Sequence, residues 1–521
     1  MYDVVIVGAG PVGLFLACEL GLAGCSVLVL EREPALRSPW KADPLGMRGL
    51  SAASVAAFHR RGMLHRLLTA SGVDDDSGTD SGAGSDADSG IDRPSPPRSA
   101  GHFAGVMLDP ADIDVTALPF RLPGPASEGV LTTLEAVGTT LSERAAGLGV
   151  EVEHGVTVSG VTQDGQSVVV RGGGRTYTAR WLVGCDGGRS TVRGLAGFDF
   201  VGSEPQFTGY VMLATVAGPE KLRPGFNLTP TGMYLHMPAK DYIGVLDCDG
   251  GAFDRSQRPT REHLQTVLRR VSGTDVTLGD VRLVSTFTDR AMQTTTYRRG
   301  RILLAGDAAH IHSPLGAQGL NLGIGDAMNL GWKLAATVHG HAPDGLLDTY
   351  TLERRPVGAS ALDWTRAQAA AMKPDPHGQA VQHVIRDLIG TRDGTTYVFL
   401  RASGATIRYD LGGEHPLVGR DAPDLRLADG TRLADLMHDG RGVVLDFTAE
   451  RSLHGPAARR ERRLRYAAGP ARNDLGLGAV LVRPDGTVAW ATTDRRPGHT
   501  EFEQTVDRWF GAPDPGLRGA L

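Results

Sequence analysis

The sequence predicts an α/β fold in which an antiparallel sheet interrupts a βαβ-type domain and a small separate α/β domain follows. Three observations support this prediction. Residues 2–31 read as strand, glycine loop, helix and strand, and residues 301–338 read as buried strand, acid, Gly/Pro-rich loop and helix. Between them, stretches within residues 200–287 alternate as antiparallel strands do.

Length and composition limit the classes of protein that fit. With 521 residues the chain is too long for one core, so two or three domains are expected. A net charge of -5 argues against nucleic acid or a membrane surface as partner. The apolar run over residues 4–30 is broken by glycines, Pro11 and Glu19 and lacks a basic leader, which excludes a signal peptide or a membrane span. Four cysteines without a CxxC pair or a metal-like pattern favour a reduced, cytoplasmic location and no metal site.

The first βαβ unit carries a glycine loop, GAGPVG, at residues 8–13. Gly8 permits the tight turn, Gly10 lets a pyrophosphate approach the backbone, and Gly13 lets the helix pack closely on the strand. The N–H groups and the macrodipole of the helix start then favour phosphate. Glu31 ends the second strand at about the spacing, ~20 residues, at which an acid binds a ribose 2′-OH. The unit therefore predicts a dinucleotide site for an unphosphorylated adenosine ribose.

Two features follow this unit. Arg48 precedes a helix predicted over residues 51–60, and it is either a pyrophosphate ligand or a solvated loop residue. From residue 73 to 98 the composition changes to Asp, Ser, Gly and Pro, with almost no apolar side chains. Such a segment buries too little surface to offset its ordering entropy, so we expect a mobile insertion there.

Residues 101–195 return to a folded pattern. A helix is expected over residues 131–148, with strands at 150–152, 156–161, 167–170 and 176–183. The last strand runs into the glycine turn CDGGRS at residues 185–190. In this turn Asp186 can brace the backbone, and Arg189 and Arg193 serve either a second anionic ligand or only the surface.

An inserted antiparallel sheet is predicted from residues 200–216, 231–237, 242–247 and 282–287. Because it lies between the two strand-loop-helix patterns, one of its faces is available as a pocket wall. Tyr210, Tyr234, His236 and Tyr242 are its polar aromatic side chains. Each either faces a substrate or is a packed side chain with a satisfied polar tip.

The second strand-loop-helix pattern has an acid, Asp307, at the end of its strand and a helix predicted over residues 319–338. A helix start of this kind places N–H groups around a ligand, while the acid holds a ligand hydroxyl. Another helix is expected to begin at residues 350–356. From about residue 404, strands at 443–447 and within 479–490, with a helix at 501–510, predict the small C-terminal α/β domain.

Taken together, these motifs resemble the FAD-dependent aromatic hydroxylases, the class A flavoprotein monooxygenases of the p-hydroxybenzoate hydroxylase fold. The matching stretches are residues 8–13 with Glu31, 185–190, 306–310, 314–321 (PLGAQGLN) and 350–356 (YTLERRP). The resemblance implies a GR2-type Rossmann-like FAD domain in three parts (1–72, 101–195 and 291–400), the insertion at 73–100, a substrate-binding sheet at 196–290 and a thioredoxin-like domain at 401–521. This last domain contains no cysteine, which excludes thiol redox chemistry there and favours a structural or dimerisation role, so a homodimer stays open.

The resemblance also implies contacts with FAD. It puts the pyrophosphate on Val12 and Gly13, the adenosine ribose on Glu31, the ribityl or pyrophosphate side on Asp307, and the isoalloxazine beside the backbone of residues 315–321. Asp186 falls in a motif that contacts both FAD and NADPH. Ala317 stands where the family often has glycine. The predicted cofactor-binding residues are Gly8, Gly10, Val12, Gly13, Glu31, Arg32, Arg48, Asp186, Gly306, Asp307, Pro314, Gly316, Gln318, Gly319, Leu320 and Asn321.

The implied reaction is hydroxylation of an aromatic, polycyclic polyketide-type compound, as in antibiotic biosynthesis. NADPH or NADH reduces FAD, O2 adds to give a C4a-hydroperoxide, and one oxygen passes to the electron-rich ring. Tyr234 and His236 are the catalytic candidates, although an activated phenol needs no protein base. A Baeyer–Villiger oxygenase or an epoxidase on the same scaffold, and a flavin-binding scaffold protein without turnover, remain as alternatives. A halogenase is disfavoured because the sequence has no WxWxIP stretch.

Overall fold

The computed structural model describes residues 1–73, 101–117, 120–473 and 475–513, so the predicted insertion at 73–100 lies, apart from Val73, outside the described residues. In the first 195 residues the elements are β1 (Tyr2–Val7), α1 (Pro11–Leu22), β2 (Val27–Glu31), β3 (Met47–Leu50), α2 (Ala52–His59), α3 (Leu64–Ala70), β4 (His102–Phe103), β5 (Val106–Met107), β6 (Val130–Thr133), α4 (Leu134–Gly147), β7 (Glu151–His154), β8 (Val158–Gln163), β9 (Val168–Gly172), β10 (Arg175–Gly184) and α5 (Thr191–Leu195). The helix expected over residues 131–148 begins only at Leu134, because the preceding residues form β6, which pairs with β3.

The middle of the chain contributes most of the remaining elements. They are β11 (Phe200–Ser203), β12 (Thr208–Ala217), β13 (Gly225–Thr229), β14 (Gly232–Met237), β15 (Tyr242–Asp247), α6 (Arg261–Ser272), β16 (Thr277–Thr288), β17 (Ala291–Thr294), β18 (Arg298–Arg299), β19 (Ile302–Leu304), β20 (His310–Ile311), α7 (Gln318–Val338), α8 (Thr349–Ala371), α9 (Pro376–Ile389) and α10 (Arg392–Ala402). The stretch at 200–216 is not one strand, since β11 and β12 belong to different sheets.

The main sheet places three chain turns along one edge. Its order is β18-β19-β10-β1-β2-β7, and β1 runs parallel to both β2 and β10. Val7 pairs with Gly184, which in turn pairs with Leu304 of the parallel strand β19. The turns that follow β1, β10 and β19 therefore leave the sheet side by side, at the carboxyl edge where open α/β sheets bind ligands. The parallel strands have fully buried side chains such as Val5 and Leu182, and α1 packs between this sheet and helices α7 and α4.

The inserted sheet has two differently covered faces. Its order is β13-β14-β15-β12-β16, and all neighbouring strands are antiparallel. Helix α6 covers one face with Leu264, Val267, Leu268 and Val271, which follow a helical spacing. The other face looks toward α8 and the loop before α7, where a second apolar cluster forms.

The C-terminal domain packs through buried charges on the domain that contains the main sheet. Its elements are α11 (Leu433–Leu436), β21 (Gly442–Asp446), α12 (His454–Ala458), β22 (Leu464–Ala468), β23 (Ala479–Val482), β24 (Val488–Thr492) and α13 (His499–Phe510), with sheet order β22-β21-β23-β24. Arg61, after α2, donates to the carbonyl oxygens of Met437 and Pro484 while paired with Glu19 of α1. Arg483 of the C-terminal domain pairs with Glu353 of α8. None of the described helices is long and apolar enough to cross a membrane.

Candidate active site

The two strand-loop-helix patterns meet at the side chain of Val12. A Cβ placed on Gly306 would lie 3.0 Å from Val12 Cγ2, and one placed on Gly323 would lie 2.3 Å from the same atom. Only glycine at these positions lets the first turn of α1 approach the turn after β19 and the helix α7 this closely. Residues nearly 300 positions apart in the sequence thus form one wall, as the paired motifs predict.

The glycine loop has the geometry expected of a phosphate-binding turn. Gly8 takes a φ of +107°, and a Cβ on Gly13 would lie 2.0 Å from the Gly8 carbonyl oxygen. Beside Gly10, by contrast, no described heavy atom comes within 4 Å of the Cβ position. Gly10 therefore presents an open backbone face immediately before the N-terminus of α1, where an anion is favoured.

The acid and the arginine after β2 have different surroundings. Glu31 accepts a hydrogen bond from the Ala9 N–H at 2.7 Å and another from the Glu33 N–H at 2.9 Å. It thereby ties the glycine loop to the end of β2. Arg32 is exposed and pairs with Glu33 at 3.3 Å. Contacts of either residue with an adenosine ribose remain predictions.

Arg48 and Asp186 are engaged by their own backbone surroundings. Arg48 Nη1 donates to the Leu45 and Met47 carbonyl oxygens, at 3.2 and 2.7 Å. Burial lowers the pKa of Arg48, and Tyr242 of the inserted sheet and the Asp307 carboxylate oppose this shift. Arg48 thus lies between the second pattern and the inserted sheet. Asp186 accepts from the Ser190 hydroxyl and the Val192 N–H, so it braces the turn before α5, whose N-cap is Ser190.

A buried polar network supports the turn after β19. Asp326 of α7 accepts from the Gly306 N–H at 3.0 Å, from His310 Nε2 at 2.7 Å and from Arg354 Nε at 2.8 Å. Burial alone would raise the pKa of Asp326, but the charges and hydrogen bonds of His310 and Arg354 hold it below its ordinary value. Arg354 also donates to the hydroxyl of Tyr409, which connects this network to the segment before the C-terminal domain.

Asp307 lies next to this network but outside it. Its side chain is exposed, and within the described ranges it makes no hydrogen bond or ion pair. The carboxylate instead lies 3.7 Å from the Cβ position of Gly319, in the first turn of α7. Asp307 is therefore free to bind a ligand at the start of that helix.

The loop before α7 is fixed from three sides. Ala317 precedes the helix in a left-handed conformation, with a φ of +53°, after Gly316 at +81°. Asn321 accepts from the Ser51 N–H at 2.8 Å and donates to the Gly49 and Ala317 carbonyl oxygens. Gln318 donates to the carbonyl oxygens of Gly316 and Ala402. Asn321 therefore joins the start of α7 to the segment around Arg48. Of the other predicted positions, Pro314 is exposed and Leu320 packs against the main core.

These features fit a bound FAD. Gly10 leaves an open approach for a pyrophosphate, and Gly319 leaves space beside Asp307 that a Cβ would fill. In the same place His312 Nε2 is buried without a hydrogen-bond partner among the described residues. The donor N–H groups of two helix starts and an unpaired carboxylate suit the phosphates and hydroxyls of a dinucleotide.

A cavity of about 400 Å³ opens between the inserted sheet and the C-terminal end of α8. It is lined by Gln206, Phe207, Gly232, Met233, Leu246, Cys248, Gly250, Ala369, Met372, Lys373, Pro374 and Asp375. Leu315, in the loop before α7, belongs to the same buried apolar cluster as Met233, Leu246 and Met372. Burial raises the pKa of the Cys248 thiol to about 11, so the thiol is protonated at neutral pH. The cavity is thus lined mainly by apolar residues, with Gln206, Lys373 and Asp375 as its polar side chains, and the apolar cluster in its wall extends to Leu315 of the flavin loop.

Tyr234 and His236, the predicted catalytic candidates, lie on the other face of the inserted sheet. Side chains alternate along β14, so Met233 faces the cavity while Tyr234 packs in the cluster covered by α6. Tyr234 is 4 % exposed, and its hydroxyl accepts from the Arg223 N–H. His236 is 3 % exposed, with Nδ1 3.4 Å from the Leu222 carbonyl oxygen. We therefore do not retain either residue as a catalytic candidate.

Sequence reasoning missed three groups at this site. Asp326 and Arg354 lie inside predicted helices, and their stretches were recognised without a role for either side chain. The third group is the arginine cluster formed by Arg189, Arg255 and Arg290, of which the sequence indicated only Arg189 as a possible ligand of an anion. Burial lowers the pKa of Arg255, and the charges of the other two arginines lower it further. Spacing gave no signal for this cluster because its members come from three separate segments. No group of three or more His, Cys, Asp or Glu side chains in the described ranges could hold a metal ion.

Two protein families match this chain, one over its first 365 residues and one over its C-terminal domain. A family described as FAD binding domain matches residues 1–365, and one described as aromatic-ring hydroxylase, C-terminal, matches residues 415–513. A protein of Claviceps purpurea named as a monooxygenase is 44% identical over 98% of this chain and 96% of its own. The 12-dehydrotetracycline 5-monooxygenase/anhydrotetracycline 6-monooxygenase of Streptomyces rimosus is 38% identical over 98% of this chain and 99% of its own. The solved structure of an anhydrotetracycline hydroxylase from Streptomyces rimosus superimposes with a TM-score of 0.81 at 35% identity, covering 98% of this chain and all of that one.

Proposed function

Because the chain belongs to the FAD-dependent aromatic-ring hydroxylases and is an FAD-dependent monooxygenase, we propose that it hydroxylates a polycyclic aromatic compound of polyketide type. NADPH or NADH would supply the electrons and O2 the oxygen atom. The observation that carries this proposal is the cavity of about 400 Å³, which adjoins the flavin loop through Leu315. A volume of this size lies in the range that holds a drug-sized ligand, and its apolar walls suit fused rings.

Bound FAD would supply the hydride acceptance and the oxygen activation that no side chain of this protein can supply. The chain binds it between the glycine loop and the start of α7, with Val12, Asp307 and the N–H groups of residues 318–321 along its length. The N-terminus of α7 places positive partial charge beside the isoalloxazine, where negative charge develops on reduction. The apolar cluster around Leu315 keeps water away from the reacting edge.

The cavity walls orient the substrate and are not suited to deprotonating it at neutral pH. Cys248 is held protonated, and the wall residues Phe207, Met233, Leu246 and Met372 carry no titratable group. The remaining titratable wall residues are Lys373 and Asp375, and the hydrogen bond that Asp375 accepts from the Gly378 N–H lowers the pKa of its carboxylate, which makes it a weak base. Turnover would then rely on a substrate ring that is already electron-rich, such as a phenol.

Arg189, Arg255 and Arg290 offer a docking surface for the phosphates of NADPH or NADH. Arg189 follows the Asp186 turn, which packs against Gly8 of the dinucleotide loop, so the cluster lies beside the FAD-type domain. Arg255 Nε is buried without a hydrogen-bond partner among the described residues. The charges of Arg189 and Arg290 lower the pKa of Arg255, and of the three arginines Arg290 already pairs with Glu204 at 3.5 Å. A positive site of this kind favours an anionic partner. We expect Arg189→Ala and Arg255→Ala to raise KM for NADPH while leaving the flavin content unchanged.

The cavity assignment is tested by a matched pair of neighbouring substitutions. Met233→Trp fills the cavity and should abolish aromatic-stimulated NADPH oxidation, whereas Tyr234→Phe, on the α6 side, should leave it within about twofold of wild type. The measurement is NADPH consumption and O2 uptake by the yellow, FAD-loaded protein, with and without a panel of polycyclic phenols, with product confirmed by mass spectrometry. If Tyr234→Phe loses activity and Met233→Trp keeps it, the substrate lies on the other face of the sheet. A yellow wild type that oxidises no NADPH with any aromatic would favour a scaffold role.

A further inference from the structure

The imidazole of His312, next to the start of α7, has one nitrogen engaged and one free. Nδ1 lies 2.8 Å from the Ser313 carbonyl oxygen, and because a carbonyl can only accept, Nδ1 carries the hydrogen. Nε2 is buried and has no hydrogen-bond partner among the described residues. A polar atom buried without a partner costs free energy, so native proteins rarely keep one without reason.

The protonation state of His312 makes Nε2 an acceptor. Burial lowers the pKa of His312, and the neighbouring His310 lowers it further, against the opposing effects of the Ser313 carbonyl and Asp307. The imidazole is therefore neutral at neutral pH, with its hydrogen on Nδ1 and a lone pair on Nε2. Whatever meets Nε2 must donate a hydrogen bond.

Nε2 of His312 and Oδ1 of Asp307 border the same space. Each lies 3.7 Å from the Cβ position of Gly319, where glycine leaves room that any other residue would fill. Both atoms are acceptors, and a pair of acceptors repels the oxygens of a phosphate. A chain of hydroxyl groups, by contrast, offers a donor to each of them.

His310, in the same stretch, shows what a histidine with a structural role does. Its Nε2 lies 2.7 Å from Asp326 and so belongs to the network that holds the turn at Gly306. His312 Nε2 has no such protein partner and points to the ligand space instead. His310 Nδ1 is also buried without a partner among the described residues, so an orphaned nitrogen alone does not distinguish the two histidines. The distinguishing observation is the position of His312 Nε2, which borders the space at Gly319 together with Asp307 Oδ1.

We propose that His312 Nε2 accepts a hydrogen bond from a ribityl hydroxyl of FAD, while the Asp307 carboxylate binds a neighbouring hydroxyl of the same chain. The proposal rests on FAD lying between the glycine loop and α7, as set out above. It makes His312 a positioning residue that fixes the depth of the flavin along α7, and it gives no chemical step to the imidazole.

The test compares FAD with analogues that lack the ribityl hydroxyl at the 2′, 3′ or 4′ position. His312→Leu removes the acceptor, whereas the side-chain oxygen of His312→Gln can stand near the place of Nε2. Dissociation constants come from quenching of flavin fluorescence on reconstitution of the full-length apoprotein. We expect His312→Leu to weaken FAD binding by roughly tenfold, as for one neutral hydrogen bond, and His312→Gln to recover most of the loss. For one analogue, wild type and His312→Leu should bind equally, since the hydroxyl that His312 contacts is already gone.

Several outcomes would overturn the proposal. One is equal FAD affinity of wild type and His312→Leu, and another is a loss for His312→Gln as large as that for His312→Leu. A third is the same factor between wild type and His312→Leu for FAD and for every analogue, which would indicate contact with the isoalloxazine ring. If His312→Leu does not fold, the proposal is tested by NMR on wild type labelled with 15N-histidine. The His312 Nε2 resonance must shift when FAD binds, and must not shift when AMP, which lacks the ribityl chain and the flavin ring, is added. Wild type that meets these expectations yet oxidises no NADPH with aromatics would refute the proposed reaction alone.

Discussion

Replacing Glu353 by Gln should destabilise the joint between the FAD-type domain and the C-terminal domain. The Glu353 carboxylate, on α8, accepts from both Nη atoms of Arg483 at 2.9 and 2.8 Å and from Lys333 Nζ at 2.8 Å. Asn329 Nδ2 donates to it and to Asp485, which also pairs with Arg483. All of these side chains are buried, so water cannot replace a lost partner.

The expected loss in unfolding free energy follows from the donors that the side-chain amide of the Glu353→Gln variant leaves without an acceptor. Burial alone would raise the pKa of Glu353, but Arg483 and Lys333 hold it well below its ordinary value, so the carboxylate is charged at neutral pH. In Glu353→Gln one amide position presents an N–H group to a donor of Arg483 or Lys333, and two buried cations keep only Asp485 as counter-charge. Breaking a buried ion pair in this way costs about 3–5 kcal/mol.

The assay is urea unfolding of FAD-loaded protein, followed by tryptophan fluorescence, which reports on Trp332 and Trp509 beside Arg483. Lys333→Met in the Glu353→Gln background is the control, because it restores charge balance and should recover at least about 1–2 kcal/mol of the loss. A Glu353→Gln protein within about 1 kcal/mol of wild type would refute the view that this cluster stabilises the joint.

Three further predictions concern the flavin site and the same joint. Asp307→Asn should leave the melting temperature of the apoprotein unchanged, since the carboxylate is exposed, and should weaken FAD retention by about 10–100-fold in equilibrium dialysis, as for a charged hydrogen bond; full flavin content would contradict it. Ala317→Gly relieves a left-handed φ of +53° and should raise the free energy of unfolding by about 0.5–1 kcal/mol, after the extra chain entropy of glycine is subtracted; a lower melting temperature would show that the alanine is not strained. Burial lowers the pKa of Lys333 to about 8, with Glu353 opposing. The unfolded chain therefore binds more protons between pH 8 and 10, and over this range the unfolding free energy of wild type should rise relative to Lys333→Met by up to about 3 kcal/mol; a constant difference would contradict the lowered pKa.

The sequence predicted the parts of the site that are local. The strand, glycine loop, helix and terminal acid of residues 2–31 are found as β1, α1 and β2, because each boundary depends on neighbouring residues. The same holds for the strand that ends before Asp307 and for α7. The membership of the family is confirmed by the comparisons. Individual FAD contacts, the domain boundaries and the mobility of residues 73–100 stay predictions.

What the sequence did not determine was which face of a strand meets the substrate. Alternation places Met233 and Tyr234 on opposite faces, but both faces of the inserted sheet carry apolar residues, so the pattern alone does not orient it. Helix α6 decides the question, and it was not predicted although Leu264, Val267 and Leu268 have helical spacing. The ion pair of Glu353 and Arg483 joins residues 130 positions apart, and no periodicity reports such a pair.

The order of strands in the main sheet determines when, during translation, each part of the FAD site can form. β1 leaves the ribosome early, but its neighbour β10 ends at Gly184, and Gly306 and Gly323, which enclose Val12, come later still. At about 5–20 residues per second, on the order of tens of seconds separate Val12 from these partners. During that interval β1 and β2 can pair with each other, with β7 and with β10, whereas the side of Val12 that meets Gly306 and Gly323 stays uncovered. By this argument FAD can be captured only when about two thirds of the chain has been made, so flavin content would report that the glycine loop and α7 have come together and not that the C-terminal domain has folded.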